Sequence, residues 1–341
     1  MSATKANVLL VGGGGIGTMT AVNLVAGGKA NVTMVLRSNY SVVEKNGFDI
    51  KSVDHGEIKN WRPHRVLPAV PNVSVENLEP YDYVVCVTKN TPDISPTVID
   101  IIGPAITPAK TVVVLVQNGL NIEKAIIATF PQNIVLSGVS MMGSHELRHG
   151  VIEHDDKDIL VLGPFRNPNV ESAAEQAAGK DFADRYTAGG KTTCNYVEDA
   201  GFSRWRKLVY NACLNPICAI LQLDSGRLRL AEVAYPLLRP AMNEIIAAAE
   251  ACGHELPATV IKDMIELDPM DMYFSPSMCV DVSKGNFIEY EVILGEPLRE
   301  GGKRGVPMPT IAMLYNMCKA LQWRTKEGRG MVTVPPKGNY A

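Results

Sequence analysis

What the chain lacks narrows the field first. No apolar run approaches the roughly 18 residues needed to cross a bilayer, and the short lead into the first candidate strand leaves no room for a signal peptide. A cytosolic protein is the expectation, which makes the N-x-S/T sequons at Asn31 and Asn72 chance matches. The seven cysteines are odd in number and have no C-x-x-C spacing, which argues against a disulfide framework and a zinc site alike. Cys86 and Cys213 lie in apolar stretches and read as buried thiols. Neither sign of charge dominates. With 33 basic and 36 acidic residues the net charge is -3, so no general field draws nucleic acid or an anionic membrane, and neither is expected as a partner. His145, His149 and His154 are irregularly spaced with no regular carboxylate set, and no metal is expected. There is no internal repeat and no low-complexity tract.

One absence is local and more telling: no acidic residue stands between Thr18 and Val43. It matters because of the stretch before it, NVLLVGGGGIGTMTAVNLVAGG, Asn7 to Gly28. Val8 to Val11 reads as a strand buried on both faces, stopping at four glycines. A helix is expected from Ile16 to Val25, closed by Gly27 and Gly28. Gly12, Gly14 and Gly17 fit G-x-G-x-x-G, within a cradle of Gly12, Gly13, Gly14, Gly15, Ile16 and Gly17. One glycine serves the tight turn, one the close approach to a pyrophosphate, one helix-on-strand packing. A strand at Asn31 to Leu36 completes the context. In an NAD site an acidic residue about 20 residues on would bond the ribose 2′-hydroxyl; here stand Arg37, Ser38 and Asn39, suited to a 2′-phosphate. NADP is therefore favoured, the alternative being a solvated loop arginine.

Further buried strands are expected at Tyr83 to Val87 and Thr111 to Val116. Lys89 follows the first at its carboxyl end, where ligands of doubly wound sheets sit, although exposed lysines after strands are also common. Asn118 follows the second in Gln117-Asn118-Gly119, offering a donor and an acceptor or serving as plain turn chemistry. Helices are expected at 94–102 and 121–130, and a strand at 133–139. Val151 to His154 and Ile159 to Leu162 suggest an antiparallel pair at the sheet's far edge. A helix over 171–186 and a last strand at 194–197 complete this half.

From Ala200 the texture turns helical. The fold class is α/β: a Rossmann-type doubly wound sheet over 1–198, an all-α second domain over 199–327, and a loosely held tail over 328–341. Helices are expected at 202–221, 232–252, 257–267, 287–300 and 308–323. In the first, Lys207, Asn211 and Asn215 at i, i+4 and i+8 share one face. Buried, such a stripe needs polar partners, as a substrate with oxygens would supply; exposed, it is an ordinary amphipathic face. Ser277 and Asp281 also read as a helix cap and a first-turn carboxylate.

Taken together, VGGGGIG, then VTK, QNG, GSH, RKLVYNACLNP and SMCVDVSKGNFIEYE follow the order and spacing of the ketopantoate reductases (2-dehydropantoate 2-reductases). K-x-x-x-N-x-x-x-N-P, with S-x-x-x-D and a Glu eight residues later, is the specific part. The resemblance runs as far as Glu327 and implies a 6-phosphogluconate dehydrogenase-like C-terminal domain. It implies that Lys207 is the catalytic general acid and Glu289 its carboxylate partner. Asn211 and Asn215 would hold the substrate's hydroxyl end, Ser277 its carboxylate, and Asn118 would lie where nicotinamide and substrate meet. Arg37 would take the 2′-phosphate, Lys89 would face the cofactor, and Asp281 would order the site.

The implied reaction is NADPH-dependent reduction of ketopantoate to pantoate, a step of pantothenate biosynthesis, by a monomer or homodimer. Alternatives are another 2-oxo acid, ketone or imine on the same scaffold, and an NADPH-binding sensor without turnover. The stretch after Arg166, the Asp268 to Pro276 loop and the tail after Glu327 depart from the compact bacterial form.

Overall fold

A computed structural model describes residues 5–338; the outermost positions of the expected first domain (1–4) and tail (339–341) lie outside the described residues. The chain divides after Ala200 into two compact units.

The first unit holds twelve strands among the described residues: β1 (Ala6–Val11), β2 (Ala30–Val35), β3 (Phe48–Ser52), β4 (Gly56–Trp61), β5 (Arg65–Leu67), β6 (Tyr83–Cys86), β7 (Val112–Val116), β8 (Val135–Ser140), β9 (Gly143–Arg148), β10 (Val151–Asp156), β11 (Ile159–Pro164) and β12 (Thr193–Tyr196). Its helices are α1 (Gly15–Ala26), α2 (Tyr40–Asn46), α3 (Val98–Ile102), α4 (Lys124–Thr129) and α5 (Ser172–Thr187). Eight strands form one sheet in the order β12-β11-β8-β7-β6-β1-β2-β5. Its pairings are parallel except where β11 meets β8. Val8, Leu9 and Leu10 of β1 are completely buried, and each such side chain removed from water favours the fold by about 1.5–3 kcal/mol. The chain goes from β1 to β2 on one side and to β6 on the other, so the order reverses at β1. That reversal opens a crevice at the carboxyl ends of the strands.

Four strands form a separate sheet, β4-β3-β10-β9, which packs on α1. Here the structure corrects the expected antiparallel pair. β10 runs antiparallel to β9 and parallel to β3, while β11 belongs to the main sheet. Asp158, between them, turns the chain: its buried carboxylate accepts from Asn23 of α1 and from the Tyr186 hydroxyl of α5. These bonds anchor the connection at α1 and α5, and burial pushes the Asp158 carboxyl up. The expected helix at 94–102 starts only at Val98, because Pro96 precedes a capping box in which Thr97 and Asp100 exchange hydrogen bonds.

The second unit is helical: α6 (Gly201–Asn211), α7 (Leu214–Leu221), α8 (Ser225–Leu230), α9 (Ala234–Ala251), α10 (Val260–Ile265), α11 (Ser277–Ser283), α12 (Glu296–Lys303) and α13 (Pro309–Gly328), with a π-helical turn at Glu291–Gly295. α9 is its spine, with α6, α12 and α13 packed around it. Trp205, Val209, Met242, Ile245, Leu294 and Ile311 are buried in the core. The helix expected over 202–221 is broken between Asn211 and Leu214. Pro216 causes this from downstream: it has no N–H for the carbonyl of Ala212, and its ring would collide with that carbonyl. The helix expected over 287–300 begins later, its first turn being the π turn. After α13 the tail stays close at its start, where Arg329 donates to the Gly285 carbonyl at 2.6 Å and lies over the Phe287 ring. Among the described residues, no helix is long and apolar enough to cross a membrane.

Candidate functional site

In the first unit the candidate residues gather at the carboxyl ends of four adjacent strands. The glycine turn leaves β1, Arg37 leaves β2, Lys89 follows β6 and Asn118 follows β7. Gly12 has φ +116°, a left-handed conformation, and a Cβ there would lie 3.1 Å from the Thr88 amide at the β6 exit. A Cβ on Gly17 would lie 2.0 Å from the Gly12 carbonyl oxygen, and one on Gly15 would lie 2.3 Å from the Ser144 carbonyl oxygen of β9. Gly14 differs: a Cβ there would meet nothing within 4 Å. It is the N-cap of α1, supplies no side-chain cap, and no acidic residue occupies the first turn. The first N–H groups of α1, those of Gly15, Ile16 and Gly17, therefore have no side-chain cap, at the positive end of the helix dipole. The cradle fits a pyrophosphate, since the open face at Gly14 is the space such a group would fill.

Arg37 and Lys89 are exposed and Asn118 is half-buried. The Gln117 amide donates to the Thr88 carbonyl at 2.7 Å, tying the β7 exit to the β6 exit. Asn39 departs from the expectation that grouped it with phosphate donors: it is buried, and its amide is committed to Gly13 and Glu146. His154 is also committed, with Nδ1 2.8 Å from the Ser52 hydroxyl.

In the second unit the polar stripe is no solvent face. Asn211 and Asn215 are 6% and 2% exposed. Although the helix breaks between them, the Asn215 side-chain amide donates to Asn211 Oδ1 at 3.3 Å. Asn215 Oδ1 in turn accepts from the Met278 N–H at 3.4 Å, which fixes the start of α11 against α7. Ser277, the first residue of α11, is exposed. Pro276 is the N-cap, and no side chain caps this helix, so Ser277 is not the cap read as one alternative. Asp281 is buried one turn further on, past the first turn.

Lys207 stands one turn before Asn211. Burial draws its ammonium down to about 8; Arg204, one turn earlier, adds to that, and Glu289 opposes it. Glu289 is 4% exposed and lies two residues before the π turn, an irregularity common at functional sites. Sequence reasoning passed over Arg204, whose only signal is its place three residues before Lys207 on the same helix.

Residues 8–167 match the family model described as ketopantoate reductase PanE/ApbA, and residues 202–322 match that of its C-terminal part. A Saccharomyces cerevisiae protein, "Uncharacterized protein YDL144C", is 35% identical, covering 97% of each chain. The crystal structure of 2-dehydropantoate 2-reductase from Methylococcus capsulatus superposes with a TM-score of 0.77 at 29% identity, over 94% of this chain and 97% of that one. The ternary structure of D-mandelate dehydrogenase with NADH and anilino(oxo)acetate shares the fold, with a TM-score of 0.78 at 21% identity over 94% and 99% of the two chains. The fold and the matched halves define an NAD(P)-dependent oxidoreductase acting on CH–OH groups. More narrowly, the chain belongs to the ketopantoate reductase family.

Proposed function

We propose that the protein reduces a 2-oxo acid with NADPH, ketopantoate to pantoate being the first candidate reaction, and that Lys207 is the general acid. The observation that carries this is the Lys207 ammonium, acidified by burial on the same helical stripe as two buried, linked asparagines. A dinucleotide held by its pyrophosphate at the glycine turn would supply the hydride from its nicotinamide. Lys207 Nζ hydrogen-bonds the ketone oxygen and gives it a proton as charge develops there, a contact worth more in the transition state than before it. Glu289 holds the ammonium charged until then. Asn211 and Asn215 offer amide and carbonyl groups to the substrate's hydroxyl end, and Ser277 a hydroxyl to its carboxylate. Asp281 orders α11. On the cofactor side Gly12 to Gly17 receive the pyrophosphate, Arg37 the 2′-phosphate, Lys89 faces the cofactor, and Asn118 stands beside the nicotinamide.

Steady-state assays with ketopantoate against a panel of branched and aryl 2-oxo acids test the substrate. A poor rate on ketopantoate beside a good rate on another acid favours the second reading, a different oxo acid on the same scaffold. The Asp268 to Pro276 loop supports keeping it. This loop leads directly into Ser277 and is tied to α8: Arg229 donates to the Asp268 carbonyl at 2.9 Å and Ser225 N–H to the Phe274 carbonyl at 2.9 Å. Arg227 stacks on Tyr273.

The acidity of Lys207 carries a sign for pH. The reducing direction needs the ammonium, and its pKa lies near 8 rather than at 10.5. kcat/KM for the oxo acid therefore falls as pH rises through about 8 in the free enzyme, and a profile flat to pH 10 removes Lys207 from the role of acid. The cofactor reading has its own check. Arg37→Ala is expected to weaken NADPH binding about tenfold or more, the usual scale for a charge-assisted bond, and to leave NADH binding unchanged. Equal losses for both dinucleotides would count against a 2′-phosphate contact.

A further inference from the structure

Asn39 occupies the N-cap of α2, where an asparagine side chain ordinarily turns back to accept a hydrogen bond from its own helix. Here it makes no such bond. Its carboxamide is buried and its nitrogen donates twice: to the Gly13 carbonyl at 2.8 Å and to Glu146 Oε1 at 2.8 Å. Glu146 comes from β9, and its Oε1 also accepts the Gly150 N–H at 3.0 Å, which fixes the carboxylate from the other side. Leu36 closes the remaining space, since a Cβ on Gly13 would lie 2.2 Å from Leu36 Cδ2. One amide thus joins the glycine turn, the β2 exit and the second sheet, at the expense of a cap that α2 would otherwise have.

We propose that Asn39 is a positioning residue for the 2′-phosphate end of the cofactor: it locks the turn carrying Arg37 and Ser38 to Gly13, so that the phosphate cradle and the 2′-phosphate contacts stand at a fixed spacing. This rests on the NADPH reading above. The adenosine ribose of a dinucleotide links those two anchors through a short, stiff connection, so anchors already in register bind it without further ordering. Asn39 also holds the Glu146 carboxylate in place beside the glycine turn.

The test is titration of the wild type, Asn39→Ala, Glu146→Ala and Glu146→Gln with NADPH and with NADH, alongside steady-state kinetics. Asn39→Ala is expected to weaken NADPH about tenfold and NADH at most about threefold, the loss appearing in KM for NADPH and not in kcat. Glu146→Ala moves in the same direction, and Glu146→Gln, which keeps an acceptor oxygen for the Asn39 amide, loses less. Equal losses for the two dinucleotides, or a fall in kcat alone, overturn the proposal. Should Asn39→Ala fail to fold, the Glu146 pair decides, and a Gln variant as impaired as the Ala variant overturns it. Failure of the cofactor reading shows separately: a wild type without preference for NADPH removes the 2′-phosphate, and the proposal with it, before any variant is measured.

Discussion

Lys207→Ala is expected to lower kcat for oxo-acid reduction at least ~100-fold, the lower end of what general acid catalysis contributes, while the Kd for NADPH stays nearly unchanged. The split follows from the position of the residue. Lys207 lies on α6 of the helical unit, whereas the glycine turn, Arg37, Lys89 and Asn118 belong to the first unit, so removing the ammonium touches none of the expected cofactor contacts. A second effect accompanies the first. Without Lys207, Arg204 and Glu289 lose the cation that both act on, and the alkaline limb of the pH profile should vanish with the rate. Lys207→Arg should not restore turnover, because a guanidinium stays protonated throughout the range and cannot give up a proton near pH 8. Stopped-flow NADPH oxidation and fluorescence titration measure the two quantities. An alanine variant with wild-type turnover would defeat the assignment.

Gly17→Ala and Gly14→Ala are expected to fail in opposite ways, although both add a single methyl group to the same turn. At Gly17 the new Cβ would lie 2.0 Å from the Gly12 carbonyl oxygen. Backbone, not a flexible side chain, must move, so α1 is pushed off β1. A stability loss of about 3 kcal/mol or more follows for an overpacked site, with a fall in Tm of about 6–12 °C for a unit of this size and no measurable NADPH binding. At Gly14 nothing lies within 4 Å of the added methyl and φ is −75°, so stability should stay within about 0.5 kcal/mol of wild type. The methyl instead occupies the open face of the cradle, and KM for NADPH is expected to rise at least about tenfold, since small displacements of bound groups are costly. Thermal melts with cofactor titrations separate the two. A Gly14→Ala protein with unchanged KM would show that the pyrophosphate does not pass over Gly14.

Which parts were legible in advance follows the range of the forces involved. The glycine turn, the buried strands and the helix at 15–26 are local: alternation, apolar runs and backbone freedom write them into neighbouring residues. Their roles could be divided among Gly12, Gly14 and Gly17 before any coordinates. Lys207, Asn211 and Asn215 were likewise legible as a stripe, but whether the stripe faces solvent or interior is decided by α9, α11 and the other helices around it. The helix expected over 202–221 is broken at Ala212 because Pro216 acts one turn upstream, on the carbonyl it cannot satisfy. The pairing of β10 was misread because strand partners are chosen by distant segments. β3, about 100 residues earlier, competes for it, and Asp158 diverts the following strand.

By itself the order of residues determined the kind of units present and pointed to the side chains proposed here to carry chemistry, because periodicity, turn residues and motif spacing act within a few positions. Only the tertiary structure decided that Asn39 serves the glycine turn instead of its own helix, that the asparagine stripe is buried and linked, and that Lys207 is acidified. Each of these depends on desolvation and on partners brought from other elements of its own unit, and neither exists until the chain has closed around the residue.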